Sequence, residues 1–286
     1  MSYGWRGQKD HRRRSILGLP KDKRFCYSLA TRSTRQGNLM RIWIAAVLAT
    51  GLASASAIAQ SHLSDPEGEV DDAGHDYVGG RPDHPSEAWL VVRGGKLYAD
   101  WMEALMKKGP EQSHPAYPAG GDQSGAATWR CTACHGWDYG TLAGKGPWTE
   151  ADVTVILRDD RHRYSEDMLP AAEMAALTLF LNKGAADTAP FIDRAAGKSK
   201  GAAAQGQPYY ETICAACHGY DGRTLGFWDG ATLTYLGTEA AQDPAKVFHM
   251  ARFGHPGEPM VALYLLPPAT VADILAFVQT LPTGDR

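Results

Sequence analysis

Two five-residue stretches constrain this chain more than anything else in it: Cys131-Thr132-Ala133-Cys134-His135 and Cys214-Ala215-Ala216-Cys217-His218. Each reads Cys-x-x-Cys-His, the attachment sequence for a c-type haem. The order is a chemical requirement. Two thiols two residues apart can each add to one haem vinyl group, and the histidine that follows is placed to reach the iron from the proximal side. A zinc knuckle or a thioredoxin-like pair would account for one Cys-x-x-Cys. Neither accounts for two copies that are each followed directly by His. The sequence therefore predicts two covalently bound haem c groups. Cys131, Cys134, Cys214 and Cys217 are the attachment points, and His135 and His218 are the proximal iron ligands.

The chain has 286 residues, a length that suits about two domains. It has five cysteines, and the fifth, Cys26, lies in a basic segment expected to be absent from the mature protein. No cysteine then remains for a structural disulfide or a cysteine nucleophile. The thiols serve the cofactor, in a pattern compatible with export.

Met40-Arg41 precedes the apolar run Ile42–Ala49, and small residues continue through Ala55-Ser56-Ala57-Ile58-Ala59. A positive residue, an apolar run and a small-x-small site make residues 40–59 a signal peptide, with the mature chain starting at Gln60. Residues 1–39 read as a non-native or basic N-terminal extension. Export to the periplasm is predicted, with an uncleaved membrane anchor as the alternative.

Removing this leader changes the charge. Residues 1–59 hold 11 of the 29 Lys/Arg and 2 of the 32 Asp/Glu, which leaves 18 basic against 30 acidic residues, a net of −12. Such a surface argues against nucleic acid and against anionic membrane. It suits redox partner proteins with a basic docking face, where charge steers the encounter; solubility alone explains it equally well.

Residues 60–92 are polar and acidic, and read as an extended arm. Its His62, His75 and His84 are irregularly spaced and read as solvated. Leu97, Trp101, Leu105 and Met106 share one stripe and predict a helix from Gly94 to Lys108. A turn-rich insert, 110–126, separates this helix from the first haem motif. A short helix is predicted over 150–158, and another over Ala171–Asn182. Residues 185–205 read as a linker. Tyr209, Tyr210 and Ile213 lead helically into the second motif. Further helices are predicted near Pro244–Arg252 and from Pro267-Pro268 to the end.

The halves repeat. His135-Gly136-Trp137-Asp138 is echoed by His218-Gly219-Tyr220-Asp221, and Thr141-Leu142 by Thr224-Leu225. A unit this short lacks the apolar mass for an ordinary core, and haem supplies it. The order of helix, Cys-x-x-Cys-His, Met-bearing loop and terminal helix resembles class I cytochrome c, twice in tandem, over roughly residues 93–286. The resemblance implies an all-α fold with one domain at 93–184 and a second at 206–286. Arg252-Phe253-Gly254-His255-Pro256-Gly257-Glu258-Pro259-Met260 resembles the distal-ligand loop of that family. The long insert before Cys131 departs from its pattern.

Met260 is expected as the distal ligand of the second haem, with His255 as the histidine alternative. His249 and Met250, in the preceding helix, read as core or surface residues. Met168 is expected as the distal ligand of the first haem, with His162 as its competitor. Met174 reads as core. Arg252 reads either as a partner for a haem propionate or as a solvated surface residue. Trp137 and Tyr220 read as packing on a haem edge or closing the loop.

A thioether ligand favours reduced iron and raises the potential. The function expected is that of a periplasmic dihaem cytochrome that carries single electrons through two six-coordinate irons, with no catalytic residue. The alternatives are a haem enzyme of the peroxidase or sulfur-compound dehydrogenase type, and an electron-accepting subunit of a dehydrogenase complex. The sulfur-compound dehydrogenases that this layout resembles use a distal cysteine, and the mature chain has none to spare.

Overall fold

A computed structural model describes residues 81–142, 145–228 and 232–284. All lie within one compact unit, Glu67–Arg286. The predicted extension 1–39, the signal segment 40–59 and the arm as far as residue 80, with His62 and His75, lie outside the described residues. No helix of the described residues is long and apolar enough to cross a membrane.

The first helix, α1 (Glu87–Ala104), starts well before the predicted Gly94, so residues 87–92 are helix rather than arm. The cause is Ser86, whose hydroxyl accepts the Trp89 N–H at 3.2 Å and so caps the helix. The helix also ends early. Asp100 leaves helical geometry (φ −159°, ψ 97°). Its carboxylate accepts the N–H groups of Met102 and Glu103 at 3.0 and 3.2 Å, which recaps the final turn. The first haem motif is the one-turn helix α2 (Cys131–His135). The predicted helix over 150–158 is α3 (Glu150–Arg158), started by a reciprocal Thr149–Asp152 capping box. The next predicted helix is graded: a 3₁₀ turn, then α4 (Met174–Leu179), then a π turn over Phe180–Gly184.

The predicted linker is no free spacer. Strands β1 (Ile192–Asp193) and β2 (Lys198–Ser199) pair antiparallel, with Ile192 opposite Ser199. Ile192 is buried among Val271, Ile274 and Leu275, and Ser199 Oγ donates to the Ala272 carbonyl at 2.6 Å. Helix α5 (Ala203–Tyr209) continues through a π turn, Tyr210–Cys214, into α6 (Ala215–His218), the second haem motif. A second antiparallel pair follows, β3 (Gly226–Trp228) on β4 (Leu233–Tyr235). These two hairpins are the departures from a purely α-helical fold. Then come α7 (Leu236–Gln242), which the sequence did not predict, α8 (Pro244–Phe253) and α9 (Pro268–Val278).

Two contacts recur in both halves. Helix α1 crosses α4 and α5 crosses α9, each at a glycine. A Cβ on Gly94 would stand 2.1 Å from the Ala176 carbonyl oxygen, and one on Gly206 would stand 2.0 Å from that of Asp273. Four residues further on, a tyrosine reaches the glycine that ends the haem motif. Tyr98 Oη donates to the Gly136 carbonyl at 2.6 Å, and Tyr210 Oη to that of Gly219 at 2.7 Å. Those two glycines have φ of +69° and +78°, values that favour glycine.

The first half also buries an ion pair. Arg93 Nε and Nη2 both lie 3.1 Å from the Glu173 carboxylate, and Nη1 donates to the Ala104 carbonyl at 3.0 Å. The bidentate geometry and the third hydrogen bond compensate for the desolvation of both charges.

The halves share a seam of their own. Val91, Tyr98, Tyr139, Phe180 and Ala185 pack with Phe253 in one buried cluster. Phe180 meets Phe253 edge-on, with ring centroids 5.1 Å apart. His249 on α8 donates from Nε2 to the Gly95 carbonyl on α1 at 3.0 Å. A carbonyl only accepts, so Nε2 carries the proton and Nδ1 accepts the Tyr139 hydroxyl, at 2.6 Å.

Candidate functional site

In the second half, Cys214, His218 and Met260 line a single cleft of about 710 Å³, counted to its open mouth. Its walls are apolar, with Phe227, Leu236, Ile274, Leu275 and Val278. His218 sits at the end of α6, fixed by the turn of the motif itself. It is buried, its Nδ1 has no hydrogen-bond partner, and burial lowers its pKa. Its ring therefore stays neutral and able to act as a ligand. Met260 reaches the cleft from the loop after α8, where Gly254 and Gly257 take positive φ. A histidine on one element, a thioether on another and an apolar slot between them fit a haem. Met250 and His255 line the same cleft, although His255 Nδ1 is engaged with the Pro256 carbonyl at 2.8 Å.

In the first half, His135 Nδ1 is 2.6 Å from Thr141 Oγ1. Its pKa is lowered by burial, then by the neighbouring His162 and Lys145. The His162 ring lies near-parallel to that of His135, with centroids 6.3 Å apart and planes 11° from each other. Met168 is half-buried. Its Sδ accepts the Ser165 N–H at 3.4 Å, and its side chain packs against the core that holds Leu97, Trp101 and Met174. Met174 is core, as expected.

The insert has a structural task that its sequence did not disclose. His114 Nε2 lies 2.8 Å from the His162 carbonyl, and His114 Nδ1 accepts the Ala116 N–H at 3.1 Å. Trp129 Nε1 donates to the Gln112 carbonyl at 2.8 Å. The Trp129 carbonyl in turn accepts Trp101 Nε1 at 2.9 Å and Tyr164 Oη at 2.7 Å. The insert thus ties α1, the approach to Cys131 and the 159–164 loop together.

Other expectations need correction. Arg252 is not a solvated surface residue. It is 5% exposed, donates from Nη1 to the Gly184 carbonyl at 3.2 Å, and its guanidinium lies 4.8 Å from the Phe253 ring centre. Trp137 packs on His249, with centroids 5.1 Å apart, whereas Tyr220 is 75% exposed and does not reproduce that packing. Among the described residues no three His, Cys, Asp or Glu side chains gather as a metal site. The two Cys-x-x-Cys pairs therefore do not converge in the manner of a zinc knuckle. Among the described residues no two cysteines form a disulfide. Burial pushes Cys131 up to about 12 and Cys214 up to about 11.

No curated protein and no solved structure gave a significant match. Residues 201–278 match the family model described as Cytochrome C oxidase, cbb3-type, subunit III. That stretch covers α5 to α9 and the whole cleft that holds Cys214, His218 and Met260. Over residues 201–278 the chain carries a c-type cytochrome domain, which implies covalently bound haem c, electron transfer and protein redox partners.

Proposed function

We propose that the chain is a periplasmic dihaem c-type cytochrome that carries single electrons between redox partners. One haem would be attached through Cys131 and Cys134 with His135 on its iron. The other would be attached through Cys214 and Cys217, with His218 and Met260 as its axial ligands. The observation that carries this reading is the cleft of the second half, where the Cys214 thiol, the buried His218 imidazole and the Met260 thioether border one apolar slot. The first motif has the same Tyr-to-Gly hydrogen bond and the same glycine-mediated helix crossing, which supports a second cofactor there.

Bound haem supplies a one-electron couple, and the chain sets its surroundings. Phe227, Leu275 and Val278 exclude water. Two closed iron sites leave nothing for a substrate to bind, and the acidic surface favours partners with a basic docking face.

The test is the protein purified from the periplasm. Two haems per chain, reversible reduction and no spectral response to added peroxide or carbon monoxide are expected. A single haem, or a high-spin iron that takes up added ligands, would reject the closed dihaem carrier. Stable co-purification with a membrane oxidase or a dehydrogenase would make the chain a subunit instead of a free carrier.

A further inference from the structure

The first haem motif faces a histidine that is already fixed as a ligand would be. His162 is held at three points. Its N–H donates to Asp159 Oδ1 at 2.8 Å, its carbonyl receives His114 Nε2 at 2.8 Å, and its Nδ1 lies 3.1 Å from the same Asp159 Oδ1. A carboxylate oxygen accepts, so His162 Nδ1 is the donor and the other ring nitrogen, Nε2, is left to act as a ligand. Histidine ligands of metals are oriented in this way, with the far ring nitrogen donating to a carboxylate or carbonyl.

His135 is arranged in parallel. Its Nδ1 is engaged by Thr141, and among the described residues neither ring has a hydrogen bond at Nε2. The two rings lie near-parallel with their centres 6.3 Å apart. Two imidazoles that bind one metal from opposite sides stand about 6 Å apart, centre to centre, with metal–nitrogen bonds of ~2.0–2.1 Å as at zinc. Met168, in contrast, has its sulfur turned to the Ser165 N–H of its own loop.

We propose that His162, and not Met168, is the second axial ligand of the first haem, so that the protein holds one bis-histidine and one His/Met iron. This rests on the dihaem reading above. It adds a division of labour, because methionine raises the potential of an iron and a second imidazole does not. The two haems would then work at separated potentials, and the electron would have a preferred direction, from the first domain to the second. The insert before Cys131 gains a purpose, since His114 and Trp129 hold the His162 loop.

The experiment is spectroscopy and redox titration on the oxidised, purified full chain. Haem is first counted by its pyridine complex. Two haems, a thioether-to-iron charge-transfer band of one-haem intensity and two separated midpoints are expected. The electron paramagnetic resonance spectrum should include a rhombic low-spin signal, as near-parallel imidazole planes give. His162→Ala should remove that signal at unchanged haem content, and added imidazole should restore it. Met168→Leu should leave both signals unaltered. Two haems with a thioether band of two-haem intensity would overturn this inference alone, as would loss of a ligand signal in Met168→Leu. One haem per chain would overturn the dihaem reading and this inference with it.

Discussion

His249 closes the two halves on each other, and its chemistry gives the seam a pH limit. Complete burial is the main cause that lowers its pKa to about 3, and the charge of Arg252 lowers it further. The ordinary value is about 6.5. Between these two values the unfolded chain binds a proton that the native ring refuses, so stability falls as pH drops through this window. The contribution of one such group is at most about 1.4 kcal/mol per pH unit. His249→Gln should flatten the acid limb of a plot of unfolding free energy against pH; an unchanged slope would show that other groups control it. Tyr139→Phe should lower the unfolding free energy by about 1–3 kcal/mol, since it leaves a buried Nδ1 without its donor. Denaturant titration would measure this. Neither residue's task was legible in the sequence. His249 sits on a helix where a histidine has many ordinary fates, and its partners come from segments more than a hundred residues away. Arg252 misled for the same reason. A charge on an amphipathic helix reads as solvated, and only the fold brings the Gly184 carbonyl to it.

At the scale of elements, the crossings at Gly94 and Gly206 decide whether each half closes. A methyl group at either site would enter the backbone of the opposing helix. Gly94→Ala and Gly206→Ala should each cost about 1–3 kcal/mol through overpacking, read from thermal unfolding. Gly120→Ala, where a Cβ meets nothing within 4 Å, is the control and should be near neutral; equal effects at all three would remove the crossing argument. The Gly-x-x-x-Tyr repeat behind this symmetry is present at Gly94/Tyr98 and Gly206/Tyr210. It escaped the sequence reading because the insert separates Tyr98 from its haem motif, while Tyr210 leads directly into the second. What was legible was local. The helix over 150–158, the two Cys-x-x-Cys-His turns and the helix opened by Pro267-Pro268 are fixed by neighbours in the chain. What was not legible depended on distance: the docking of the first hairpin on α9 and the buried Arg93–Glu173 pair; the early start of α1 was local, set by the Ser86 cap, and was missed.

At the scale of the molecule, the linker is part of the second half, and the seam of Phe180, Phe253 and His249 joins that half to the first. A cut in the exposed turn at Ala195-Ala196 should therefore leave both fragments together on size exclusion without denaturant. Their separation at neutral pH would show that the linker alone holds them. In the proposed dihaem form, a pair joined in this way would keep its two cofactors at one distance, so a partner docked on either side would meet the same through-protein path. Burial of the motif thiols bears on maturation. The thiolate is the reactive form of cysteine, and in the closed fold burial raises the pKa of Cys131 and Cys214, while Cys134 and Cys217 stay exposed. On the proposed dihaem reading, the first thiol of each motif would react more readily in the open chain, so attachment would precede closure, and a copy that folded first would be the harder one to load.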